Sequence, residues 1–277
     1  MEDATSKLDS MSSHKVQKKL TAQSIRLMKG VRPIVCVTAY DEPFARIADL
    51  AGIDLILVGD SVGMVSLGME STLTVSIEDM VHHTKAVKHG ITHSLLVADM
   101  PFGSYGGTIQ RTVDSASALM KAGASAVKLE GLFPDEVQTL VKLGIPVMGH
   151  LGFTPQSIHV LGGPKVQGRD TKTGSSLVES AKVLEEAGAF SIVLELTPIK
   201  LSQQITEAIG IPTIGIGAGP RCDGQIQVIY DLLGLSEGDY KHAKKYAQLS
   251  KVIEDSLKTY SDEVRCSVFP LAENGFE

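Results

Sequence analysis

LILVGDSVGM, residues 55–64, is an apolar run that stops abruptly at Gly59, Asp60 and Ser61. Apolar residues in succession, with no polar alternation, describe a strand covered on both faces, as in a parallel sheet. The pattern recurs along the chain. LLVADMP reaches Asp99, AVKLEG reaches Lys128 and Glu130, IPVMGHLG reaches His150, and SIVLELTP reaches Glu195. Five apolar runs thus each deliver an ionisable group at or near their C-terminal end. Between them, KAGASA, KLGIP, EEAGAFS and TEAIGIPT each close a helical segment with glycine before the next strand.

Working outward, β-branched and apolar runs predict strands over 33–40, 54–59, 94–100, 126–130, 146–149, 191–195 and 212–216. An eighth falls within 226–233, where the pattern is ambiguous. Helical spacing follows Asp41, which is placed as an N-cap, through Phe44, Ile47, Ala48 and Ala51. Ser76, with Asp79 three residues on, is placed to cap a helix reaching Gly90. Further helices are predicted over 109–121, 134–143, 175–187 and 199–209. The stretch 153–173 loses periodicity, which in a compact domain usually marks a functional or disordered loop. Residues 239–260 read as a Lys-rich helix with Tyr246, Leu249, Ile253 and Leu257 on one stripe, suited to a subunit contact. Seven or eight strand–helix units in unbroken series predict an α/β fold, a single (β/α)8 TIM barrel. A doubly wound open sheet is the alternative. The barrel is expected over 21–277, with a short helix at 21–29 across its bottom and a C-terminal helix. Residues 1–20 are expected to form a frayed arm.

Composition narrows the function. The 277 residues are 43% hydrophobic and 21% charged, and the net charge is −6. That balance argues against nucleic acid or an anionic membrane as the main partner. No apolar run approaches the ~18 residues of a membrane span. Three cysteines without metal-ligand spacing favour a reducing compartment, and acidic residues at 2, 3 and 9 are unusual for a transit peptide, so the expected location is cytoplasmic.

In a barrel, the C-terminal strand ends form the functional face. Asp60, Asp99, Glu130 and Glu195 would therefore converge on one mouth. Several uncompensated carboxylates in an apolar pocket repel one another, and a bound cation resolves this. Oxygen donors without a Cys or His cluster suggest Mg²⁺ before Mn²⁺ or Ca²⁺. Each residue also has an ordinary reading. Lys128 and Glu130 could form a structural ion pair on one face of a strand, and His150 could be a core histidine. His82 and His83 read as structural or surface residues. The glycines of GIGAG, 215–219, fit tight packing better than a phosphate loop.

Longer segments carry a resemblance: TAYD at 38–41, LVGDS at 57–61, ADMPFGSY at 98–105, VKLEG at 127–131 and GHLGFTPQS at 149–157. KVQGR, LELTP and IGIGAGPRCDGQ continue it in the same order. The chain resembles the ketopantoate hydroxymethyltransferase family from about residue 21 to 270, a barrel related to the phosphoenolpyruvate mutase/isocitrate lyase group. The resemblance implies transfer of a hydroxymethyl group from 5,10-methylenetetrahydrofolate to 3-methyl-2-oxobutanoate, giving 2-dehydropantoate for pantothenate and coenzyme A synthesis. It implies Mg²⁺ at Asp60, Asp99 and Glu130, and substrate contacts from Asp60, Ser61, Asp99 and Lys128. His150 is expected near the keto acid and Glu195 as catalytic base. A homo-oligomer is implied too, often a decameric ring in the family. Two alternatives stand beside it. One is a C–C lyase of the same barrel group, which would usually carry a KKCGH-type loop not found in this sequence. The other is a non-catalytic barrel that binds a metal–keto acid complex.

Overall fold

The computed structural model describes residues 18–276. The expected arm lies, for residues 1–17, outside the described residues. Eight parallel strands close on themselves in sequence order: β1 (Ile34–Thr38), β2 (Leu55–Val58), β3 (Leu95–Asp99), β4 (Ala126–Glu130), β5 (Val147–Gly152), β6 (Ser191–Glu195), β7 (Thr213–Ile216) and β8 (Gly224–Gln227). β8 pairs with β1 through Ile34 and Gly224, which closes the barrel and rules out the open sheet. Gly224 is required there, because a Cβ would meet Ile34 O at 2.5 Å.

Alternation along the strands splits the core in two. Ile34, Cys36, Leu55, Leu57, Leu95, Val97, Ala126, Met148, Val193, Ile214 and Ile226 form one buried cluster, the barrel interior. Helix α1 (Ala22–Arg26) adds Ile25 to this cluster from below, as expected of a segment across the bottom. The intervening residues, including Ile56, Val58, Leu96, Ala98, Val127, Leu129 and Val147, pack outward against the helices. Because strand side chains alternate with period two, the inward series on β3, β4, β5 and β6 continues into the site. Leu95 and Val97 are followed by Asp99, Ala126 by Lys128 and Glu130, Met148 by His150, and Val193 by Glu195.

The helices follow their local signals. Asp41 caps α2 (Glu42–Leu50), accepting from Phe44 N at 2.9 Å. Ser76 and Asp79 cap α4 (Ile77–Gly90) reciprocally, after a short turn of helix α3 (Val62–Val65). α5 (Ile109–Ala122), α6 (Pro134–Lys142) and α9 (Ile199–Ala208) lie where predicted. The 153–173 stretch is more ordered than its composition suggested. It holds a 3₁₀ turn at Pro155–Ser157 and a short helix α7 (Ile158–Leu161). The next helix, α8 (Thr171–Glu186), begins four residues earlier than expected, because Asp170 caps it through Thr173 N at 2.9 Å.

The ambiguous 226–233 stretch divides into the end of β8 and helix α10 (Ile229–Leu233). The helix expected over 239–260 is displaced. Only α11 (Leu249–Arg265) is helical. Upstream, Tyr246 N donates to Leu232 O at 2.8 Å and Gln227 Nε2 to His242 O at 3.1 Å. Those bonds tie 239–248 to the end of the barrel, so Tyr246 is not part of the helical stripe. Among the described residues, no helix is long and apolar enough to cross a membrane.

Candidate active site

The register brings the charged residues together. Asp99 sits beside Lys128, Glu130 beside His150, and Gly152 beside Glu195 on adjacent strands. Asp60 follows the end of β2, and its N–H donates to Asp99 Oδ2 at 3.0 Å. A Cβ at Gly59 would lie 2.7 Å from Ser61 Oγ, while Asp99 Oδ2 would stand at an ordinary contact distance of 3.6 Å. Ser61 Oγ is 2.9 Å from the buried Tyr40 hydroxyl. Gly152, at φ +94°, lets β6 approach, because a Cβ there would fall 2.2 Å from Glu195 O.

Six ionisable groups thus share one end of the barrel. Lys128 Nζ lies 2.9 Å from Asp99 Oδ1 and 3.6 Å from Glu130 Oε1. His150 bridges two carboxylates, with Nδ1 3.3 Å from Glu130 Oε1 and Nε2 3.3 Å from Glu195 Oε2. Asp60, Asp99, Lys128, Glu130 and His150 are each no more than 4% exposed. The Glu195 side chain is 17% exposed. Lys128 and Glu130 do form an ion pair, but within this larger cluster, and His150 is buried among charges rather than in an apolar core. His83, by contrast, makes a 2.7 Å contact from Nδ1 to Tyr40 O, consistent with a structural residue.

Burial in company separates the acidities. Burial, then the charges of Asp99 and Glu130, hold the Asp60 carboxyl well above the usual carboxylate range, against Lys128 and Gln156. Burial also raises Asp99, outweighing the Lys128 ammonium. Glu130 goes down: burial opposes ionisation, but Lys128, His150 and the Gln156 N–H prevail. Burial and Lys128 disfavour protonation of His150, yet Glu130 and Glu195 prevail and its pKa is raised to about 9. Lys128 Nζ is also 3.1 Å from His150 Nδ1. In the neutral ring Nδ1 accepts from Lys128 and Nε2–H faces Glu195; in the protonated ring Nδ1–H faces Glu130 instead.

A hard divalent cation fits this donor set. The four carboxyls of Asp60, Asp99, Glu130 and Glu195 outnumber the two basic groups, Lys128 and His150, and burial disfavours ionisation of both aspartates. Asp99 Oδ1, despite its ion contact with Lys128, and His150 Nε2 are buried without an aligned hydrogen-bond partner. Such orphaned polar atoms fit a ligand-binding site. Among the described residues, no three His, Cys, Asp or Glu side chains form a ready metal cage. Mg²⁺ needs none, since it commonly takes one or two carboxylates and fills its shell with water and substrate. Both Glu130 oxygens are already occupied, Oε2 by Gln156 N at 2.9 Å and Oε1 by His150.

The sequence reading missed Tyr105 and Gln156 as individual residues, though both fall in quoted segments. Gln156 Nε2 donates to Asp60 Oδ2 at 2.8 Å, and Tyr105 Oη lies 2.7 Å from Gln156 Oε1. Neither residue ends an apolar run, so the strand pattern held no signal for them.

A closed parallel barrel with acids and a lysine at its C-terminal mouth defines a class. 2,3-Dimethylmalate lyase, a PEP mutase/isocitrate lyase superfamily member, superposes with a TM-score of 0.58 at 16% identity, covering 93% of this chain and 92% of the lyase. At that identity the likeness is one of fold. Sequence narrows it further. The sequence model of the ketopantoate hydroxymethyltransferase family matches residues 19–272, and the chain belongs to that family. The 3-methyl-2-oxobutanoate hydroxymethyltransferase of Ignicoccus hospitalis is 50% identical over 256 residues, 91% of this chain and 97% of the relative. The enzyme of the same name from Pyrobaculum aerophilum is 51% identical over 249 residues, 89% and 95% of the two chains.

Proposed function

We propose that this enzyme transfers a hydroxymethyl group from 5,10-methylenetetrahydrofolate to 3-methyl-2-oxobutanoate, with water supplying the hydroxyl and tetrahydrofolate leaving, to give 2-dehydropantoate on the route to pantothenate and coenzyme A. The observation that carries this reading, beside family membership, is the cluster of Asp60, Asp99, Lys128, Glu130, His150 and Glu195 at one barrel mouth. A C3 proton next to a ketone is weakly acidic, so the site must both remove it and stabilise the enolate. Mg²⁺, when bound, supplies Lewis-acid polarisation of the keto group.

Asp60 and Asp99 would hold that cation. Glu130 would ligate it directly or through water, and also holds His150. Lys128 balances the substrate carboxylate as a buried point charge. The Asp60 N–H is committed to Asp99, so within the Asp60–Ser61 pair the substrate contact falls to Ser61. Glu195 accepts the C3 proton: it sits at the partly open edge of the cluster, and His150 steadies its carboxylate from 3.3 Å. The barrel over 21–277 works as one domain in the cytoplasm. The apolar stripe of α11, which buries none of its residues in the monomer, joins copies into a homo-oligomer.

Mass spectrometry of the product tests this reading. Incubation with 3-methyl-2-oxobutanoate, 5,10-methylenetetrahydrofolate and Mg²⁺ should give 2-dehydropantoate. Absence of that product, with cleavage of 2,3-dimethylmalate instead, would replace the reading with a lyase.

A further inference from the structure

We propose that Gln156 is a positioning residue that fixes the carboxylates of Asp60 and Glu130 for the cation, with Tyr105 locking its amide in place. The inference rests on the assignment of the cation to Asp60 and Asp99.

Gln156 lies in the 3₁₀ turn Pro155–Ser157 after β5 and is 8% exposed. Its Nε2 donates to Asp60 Oδ2 at 2.8 Å and to Met100 O at 3.0 Å. Its Oε1 accepts from the Tyr105 hydroxyl at 2.7 Å. The amide can sit only one way round, because its NH₂ faces two acceptors and its oxygen faces a donor. Tyr105 in turn accepts from Glu130 N at 3.0 Å, and Gln156 N donates to Glu130 Oε2 at 2.9 Å.

The bonds form a loop. The Glu130 backbone donates to Tyr105, Tyr105 to the Gln156 side chain, and the Gln156 backbone to the Glu130 side chain. Donors aligned head to tail in a buried setting polarise one another. The Tyr105 ring is itself held edge-to-face by Phe133, with centroids 5.3 Å apart. One residue therefore spans Asp60 on the loop after β2 and Glu130 at the end of β4. A glutamate at 156 would set a third carboxylate against Asp60. An apolar side chain would leave Asp60 Oδ2 and Met100 O without their donor.

Partners that orient metal-binding carboxylates typically change metal affinity by 10–100-fold when removed. The test is Mn²⁺ binding, read from the EPR signal of free Mn²⁺ with saturating 3-methyl-2-oxobutanoate, for full-length wild type, Gln156→Met and Tyr105→Phe. Gln156→Met should weaken Mn²⁺ by about tenfold or more, and Tyr105→Phe by a smaller factor. Raising Mn²⁺ should restore C3 proton exchange in both, a rescue that a purely structural lesion would not show. A folded Gln156→Met that binds Mn²⁺ as tightly as wild type overturns the proposal. If Gln156→Met fails to fold, unchanged Mn²⁺ binding in Tyr105→Phe overturns it instead. A wild type that binds no Mn²⁺ overturns the cation assignment, and the role of Gln156 with it.

Discussion

Gly59 shows how finely the site depends on single atoms. A methyl group there would press on the Ser61 hydroxyl at 2.7 Å while meeting the Asp99 carboxylate at an ordinary 3.6 Å. Gly59→Ala should therefore lower turnover by up to about tenfold while the far-UV circular dichroism stays that of the wild type, because the Ser61 hydroxyl must turn from its place beside Tyr40. Lys128→Met is the contrasting case. It removes the ammonium that Asp99 and Glu130 share, and breaking a buried ionic network costs about 3–5 kcal/mol. Thermal unfolding should show that loss, and a melting temperature unchanged from wild type would mean Lys128 is not the cluster's counter-charge. The acids were legible in the sequence because each follows a buried apolar run; Asp99, Glu130 and Glu195 close inward-facing series (Leu95, Val97, Asp99, or Ala126, Lys128, Glu130), while Asp60 lies just past the end of β2. Gln156 and Tyr105 were not, since both act from connecting segments whose place is set by contacts distant in sequence.

At the scale of elements, α2 and the start of β3 are joined by one carboxylate. Asp49 accepts from Thr92 N and Oγ1, from His93 N, and from Ser94 N and Oγ, at 2.7–3.2 Å. Burial opposes its ionisation, but the hydrogen bonds of Ser94 and Thr92 prevail and its pKa is lowered to about 2. A carboxylate depressed on folding stabilises the native state above its unfolded pKa, near 4, and the contribution disappears as pH falls through about 2. With solvent screening allowed for, that is about 1–2 kcal/mol. Acid titration of wild type and Asp49→Asn should converge across that window, with the variant less stable at pH 7. Parallel curves would separate Asp49 from the acid response. Elements with strong local signals were read well: Asp41 and Ser76 cap the helices they were expected to cap. The helix expected from residue 239 was not. Its Lys-rich periodicity was outweighed by backbone bonds from Tyr246 to Leu232 and from the Gln227 side chain to His242, which no local pattern encodes.

Among the described residues, the barrel has two ends and α11 stands as an unpartnered helix. The charged cluster occupies the C-terminal mouth, while α1 closes the other end with Ile25. α11 lies apart, with Val252, Ile253, Leu257, Tyr260 and Val264 exposed along successive turns. Such a stripe on an exposed helix is the arrangement that subunit contacts use. Light scattering after size exclusion should find a species several times the 29.5 kDa chain, and Ile253→Glu with Leu257→Glu should shrink it. An unchanged mass in the double variant would place the contact elsewhere. The central claim concerns the mouth, and proton NMR of 3-methyl-2-oxobutanoate in D₂O tests it most directly, without any folate. Wild type with Mg²⁺ should erase the C3 proton signal, while wild type without the metal and Glu195→Gln with it should leave the signal standing. Exchange by Glu195→Gln at the wild-type rate, or no exchange by folded, Mg²⁺-loaded wild type, would contradict the account.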